Sequence, residues 1–178
     1  MGDGLLGLLL YLGSWLSPEA ERASIDTRFN KFINNQNVSL TCQMDIAWNR
    51  RLEQLVDAGI PLRFRIITFT DKSDTSLFYR SLYFDVVKYT YTFIDSSELK
   101  VTKSDSYPLV HLALRDFCRW EVVIPENASS CRIEVQILPS RAEQLNRIVD
   151  MSRIWGRQKV YLRFDPQEKI RRKPNKRK

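Results

Sequence analysis

Apolar residues recur at every second position in six separate stretches of this chain: Val38–Met44, Leu62–Ile66, Tyr89–Phe93, Trp120–Ile124, Ile133–Ile137 and Val160–Phe164. Strand side chains point to opposite faces in turn, so such a stretch buries one face and wets the other. The expected strands come in runs with turn-length gaps and not in a regular strand–helix alternation, which favours antiparallel pairing. The expected fold class is therefore mainly β: an antiparallel sheet or β-sandwich of six to seven strands with two or three short helices.

The helices are read from a different spacing. Asp45 can cap a helix whose apolar face is Trp48, Leu52, Leu55 and Val56, with Gly59 and Pro61 to stop it. Ser106 and Pro108 open a second, with Val110, Ala113, Leu114 and Phe117 as its stripe. Ser140–Glu143 reads as a capping box and predicts a third. Pro125 to Ser130 reads as a hairpin loop. The run Leu77–Phe93 is one long β-prone segment, with a change of phase between Val86 and Tyr89 that suggests a bulge or bend. A similar change is expected at Ile67 and Phe69. Arg63 and Arg65 mark the outer face of their strand. Phe64, Leu82, Phe84, Val135 and Leu162 are the expected core.

The net charge of +7 is concentrated at the C-terminus. Lys169, Arg171, Arg172, Lys173, Lys176, Arg177 and Lys178 are seven cations with no acid among the last ten residues, which leaves the remainder neutral overall. That tail is the expected contact for an anionic partner. At the other end, Leu5–Leu16 is an apolar run of signal-core length, shorter than the roughly 20 residues a spanning helix needs. The domain plan is residues 1–23 as signal peptide or apolar anchor, 24–37 as polar spacer, 38–166 as one β-rich domain, and 167–178 as a disordered basic tail. The expected location is the periplasm, soluble or membrane-anchored, with the cytoplasm as the alternative.

No catalytic, cofactor-binding or metal-binding residues are predicted. His111 is the sole histidine and has no nucleophile motif near it. Three of the six glycines lie in the first seven residues, so no glycine-rich phosphate loop exists. Cys42, Cys118 and Cys131 form no Cys-x-x-Cys pair and are expected as small buried residues. Asp71 with Asp74, and Asp95 with Glu98, are read as turn residues. Tyr79, Tyr83, Tyr89 and Tyr91 with Arg80 and Lys88 are weighed as a stacking platform against plain sheet packing.

The segment Leu52-Glu-Gln-Leu-Val-Asp-Ala-Gly-Ile-Pro-Leu62, the strand to Phe69, the aromatic run Phe78–Tyr91 and the strand into Leu138-Pro139 resemble bacterial envelope proteins of domain of unknown function family 4390. The resemblance covers about 38–164 and implies an export signal; it assigns no functional residues. The leading expectation is a non-enzymatic accessory or interaction domain of the bacterial envelope, with an unidentified protein partner there and anionic lipid at the tail. The alternatives are a cytoplasmic nucleic-acid-associated protein that uses the tail, and a hydrolase with an unrecognised carboxylate site.

Overall fold

The computed structural model describes residues 23–33, 36–46, 48, 50–72, 76–142, 147–151 and 159–171. Among these the chain forms eleven strands, every pair of them antiparallel, and three short helices. The mainly β class with short helices is as expected, with eleven strands in place of the six to seven expected.

One sheet is β1 (Ser24–Phe32), β2 (Asn37–Asp45) and β7 (Arg119–Pro125), in the order β1-β2-β7. The larger sheet contains β3 (Leu62–Thr70), β4 (Ser76–Asp85), β5 (Thr90–Ser96), β6 (Val101–Lys103), β8 (Cys131–Leu138) and β11 (Lys159–Phe164), in the order β11-β8-β3-β4-β5-β6. β9 (Ser140–Ala142) and β10 (Arg147–Val149) form a small ribbon. Leu40 and Met44 of β2, Ile124 of β7, Phe64 and Ile66 of β3 and Val135 of β8 belong to one buried cluster, so the two sheets share a core as a sandwich does.

Helix α1 (Arg50–Asp57) buries Leu52, Leu55 and Val56. It ends in a Schellman arrangement: Gly59 N–H donates to Val56 O at 2.9 Å and Ile60 N–H to Leu55 O at 3.0 Å. Gly59 has φ +81°, a left-handed conformation that costs glycine least. Helix α2 (Val110–Phe117) buries Ala113 and Phe117.

Arg80 joins these parts. It lies on the inner face of β4 and is only 5% exposed. Its Nε and Nη2 donate to the two carboxylate oxygens of Asp95 at 2.6 Å each. Asp95 stands directly opposite on β5. Nη1 donates to Phe117 O at 2.7 Å and Arg119 O at 2.6 Å, with Asp116 O at 3.3 Å. The guanidinium therefore caps the end of α2 and holds the start of β7. The Phe93 ring lies 5.0 Å from it.

Several expectations are corrected. Residues 24–32, expected as spacer, form β1, because Ile25 and Thr27 alternate inward against Ser24, Asp26 and Arg28. Residues 167–171, expected as disordered tail, lie in α3 (Pro166–Arg171), so the folded unit extends past 166. Pro166 is buried, Ile170 packs on the core, and Gln167 Nε2 donates to Glu126 O. There is no phase change in β3: Thr68 takes the inward place, leaving Ile67 and Phe69 on the other face. Leu77–Phe93 is β4 and β5 joined by a turn at 86–89, where Asp85 Oδ1 accepts from Val87 and Lys88 N–H. Pro125–Ser130 crosses from one sheet to the other and is no hairpin loop. Ser140–Ala142 is strand, and Ser140 Oγ donates to Pro61 O in place of capping a helix. Phe64, Leu82 and Val135 are fully buried, whereas Phe84 and Leu162 are only half-buried.

Two outcomes follow from these contacts. Arg80→Met should cost about 3–5 kcal/mol, because it leaves Asp95 and three carbonyls without their donor. The urea midpoint measures this, and a loss under about 1 kcal/mol would show that the carbonyls and Asp95 find other partners. A chain ending at Asp165 should lose about 1–3 kcal/mol, for the apolar area covered by Pro166 and Ile170. An unchanged midpoint in that chain would mean α3 contributes nothing to the fold.

Candidate functional site

The outer face of the six-stranded sheet is set by the same alternation that fills the core. With Leu62, Phe64 and Ile66 inward, Arg63, Arg65, Ile67 and Phe69 must point outward. Register carries that face across the sheet. Arg65 stands between Gln136 of β8 and Tyr79 of β4, and Gln136 in turn opposes Lys159 of β11. Arg63 stands between Leu138 and Ser81, and the row continues through Ile94 to Lys103 of β6. Phe69 opposes Arg132, which opposes Arg163.

Six cations therefore share one face: Arg63, Arg65, Lys103, Arg132, Lys159 and Arg163. The strands place two carboxylates among them: Glu134, which pairs with Lys159 at 2.8 Å, and Asp85, in step with Tyr79 and Tyr83 on β4 and 4.0 Å from Lys88 of the following turn. Tyr79, Tyr83 and Tyr161 are 37%, 38% and 69% exposed on the same face. Arg and Tyr together, spread over a flat and regular surface, suit contact with a large anionic partner.

At one corner the face deepens into a cleft of about 260 Å³ lined by Phe69, Thr70, Asp71, Ser130, Arg132 and Arg163. The Arg132 guanidinium lies 4.3 Å from the Phe69 ring centre. Asp71 is held by the loop after β7: Ser129 donates through N–H at 3.0 Å and Oγ at 2.5 Å, and Ser130 N–H donates at 3.3 Å. The Ser129 hydroxyl, assisted by those N–H groups, lowers the Asp71 carboxyl to about 2. A second cleft of about 310 Å³, beside the Arg80–Asp95 pair, is lined by Phe78, Ser96, Lys100, Thr102 and Trp120. Of its four charged groups, Lys100 and Glu121 lie in the lining, while Arg80 and Asp95 are spent on each other and on the end of α2.

The tail cations divide. Lys169 and Arg171 lie on α3, where Lys169 Nζ sits 3.5 Å from Asp26. Arg172, Lys173, Lys176, Arg177 and Lys178 lie outside the described residues, as do residues 1–22. The aromatic residues weighed as a stacking platform are not assembled as one surface. Tyr79 and Tyr83 are on the outer face, Tyr89 is in the turn, and Tyr91 is buried with its hydroxyl on Asp57 at 2.6 Å. Arg63, Arg65 and the alternation at Arg132 were visible in the sequence. Lys103, Lys159 and Arg163 were missed, although Lys159-Val-Tyr161-Leu-Arg163 alternates as plainly.

No catalytic constellation forms among the described residues. His111 is exposed on α2. Asp95 is on β5 in its ion pair, not in the turn with Glu98, and Asp74 lies outside the described residues. No group of three or more His, Cys, Asp or Glu is placed to hold a metal among the described residues. Cys42, Cys118 and Cys131 are free and buried. Burial pushes the thiols of Cys118 and Cys131 up to about 12 and that of Cys42 higher still, so they stay protonated and unreactive. No described helix is long and apolar enough to cross a membrane. No family model, no curated protein and no solved structure matches this chain.

The Asp71 bonds favour its charged form, so folding lowers its pKa from 3.8 to about 2. The stability this adds is present above about pH 4 and is lost as pH falls through about 2. Wild type and Asp71→Asn compared by melting at pH 5 and pH 2.5 should differ in slope, with the smaller acid loss in Asp71→Asn. Parallel acid losses would show that the Ser129 and Ser130 bonds do not form in solution.

Proposed function

We propose that this protein is a non-enzymatic interaction domain of the bacterial cell envelope, and that it engages an anionic partner through the outer face of its six-stranded sheet. The observation that carries the binding part is the charge of that face: six cations to two strand carboxylates, Glu134 and Asp85, interleaved with three exposed tyrosines. A sheet face that only covers a core needs no such imbalance. Like charges on neighbouring strands repel, and the repulsion is relieved when a partner brings the opposite charge. The envelope part is supported by the apolar leader Leu5–Leu16 and by the resemblance to the envelope family. The tail cations beyond α3 would add to attraction for the same kind of partner.

Polyglutamate beads and phosphatidylglycerol vesicles are suitable probes. Wild type should bind both at low salt and be released as salt rises. Arg63→Gln/Arg65→Gln removes two central cations and should weaken binding about thirtyfold, at about 1 kcal/mol for each cation that reaches the surface. Binding that survives that substitution in full would assign the attraction to another surface. Duplex DNA held far more tightly than either probe would favour the cytoplasmic nucleic-acid alternative.

A further inference from the structure

We propose that Arg132 and Arg163 form a binding site for a phosphate group, free or carried on a lipid headgroup, at the corner of the cationic face. The inference rests on the reading of that face as an anion-binding surface and names the chemistry of one point on it.

The register makes the pair. Arg163 on β11 and Arg132 on β8 are direct Cα partners in adjacent antiparallel strands, and both are exposed on one face. Opposed residues in such a ladder lie about 4.5–5.5 Å apart at Cα, so the two guanidiniums can reach a common point. Two like charges placed opposite are unfavourable unless something neutralises them. No ion pair does so: neither guanidinium has an ion-pair partner among the described residues. The carboxylate lining the same cleft, Asp71, keeps its charge but makes its hydrogen bonds to three donors from Ser129 and Ser130 and no ion pair with either arginine, so the cleft holds two cations to one anion. Glu134, two residues along β8, is taken by Lys159.

The pair is also partly preorganised. Arg132 rests against the Phe69 ring at 4.3 Å, a cation–π contact that restricts the side chain and leaves the N–H edges of its fork for a ligand. The cleft of about 260 Å³ has room for a tetrahedral oxyanion and several waters of about 30 Å³ each.

Charge and geometry select the ligand. A carboxylate brings one charge and two oxygens, enough for one fork, and leaves the second arginine unneutralised. A phosphate monoester brings up to two charges and three free oxygens, which two guanidinium forks can share.

Thermal unfolding in inorganic phosphate, against chloride at equal ionic strength and neutral pH, tests the site. The wild-type melting temperature should rise with phosphate concentration, as a ligand bound only to the native state requires. Arg163→Gln should weaken the apparent phosphate affinity at least about tenfold, while melting in chloride no lower than wild type because a repulsion has been removed. Arg63→Gln/Arg65→Gln should keep the phosphate shift. Flotation with phosphatidic acid vesicles separates the sources. Binding that free phosphate displaces and Arg163→Gln abolishes assigns the site to a headgroup, and binding of free phosphate alone assigns it to a soluble ligand. A wild-type melting temperature that responds identically to phosphate and chloride overturns the site, as does a full phosphate shift in Arg163→Gln. If the phosphate shift is absent while polyglutamate binding still depends on Arg63 and Arg65, this site alone fails. If polyglutamate binding is absent as well, the reading of the whole face fails with it.

Discussion

A charged guanidinium sits inside this sandwich, and much of the rest is arranged around that fact. Arg80 is 5% exposed, and an unpaired charge at such a depth would cost several kcal/mol. Its pairing is complete along several directions. Both oxygens of Asp95 meet Nε and Nη2, and three backbone carbonyls meet Nη1. The Asp95 bonds favour the β4–β5 register in which the two residues stand opposite. The Asp116, Phe117 and Arg119 carbonyls tie the last turn of α2 to the sheet and bring β7 in behind it. Since β7 belongs to the smaller sheet, one side chain connects both sheets and a helix. The Asp116 and Phe117 carbonyls are among the groups a helix end leaves without intrahelical donors.

The two sheets close differently on their two sides. α3 packs beside β1 and bonds to the loop after β7 through Gln167, while Lys169 approaches Asp26. On the other side α2 covers β5, with Tyr107 bridged to Tyr91 and its hydroxyl on Asp116. Tyr91 in turn reaches Asp57 of α1. Among the described residues, the outer face of the six-stranded sheet is a broad regular surface. Strict alternation makes that surface a by-product of the core: each inward Phe64 or Ile133 fixes an outward Arg63 or Arg132 beside it.

The sequence alone determined the class of fold and the inward set of most strands, because period-two alternation is a local property and needs no partner to be read. Phe64, Leu82 and Val135 follow it, and so does the stop of α1 at Gly59, where the φ demanded is one glycine adopts readily. The arginine-bearing faces of β3 and β8 were legible for the same reason. Tertiary structure decided what local pattern cannot carry. Arg80 looks like a surface cation in a strand, and only Asp95 and the end of α2 make its burial tolerable. Ser24–Phe32 and Pro166–Arg171 look too polar to fold, yet they gain order by docking on β2 and on the sandwich edge. Ser140 carries a capping signal, but the carbonyl of Pro61 claims its hydroxyl. The candidate site divides along the same line. Each cation could be named from its place in an alternating run, but the meeting of Arg132 with Arg163 depends on which strands pair and in what register, and that is fixed by packing across the whole sheet.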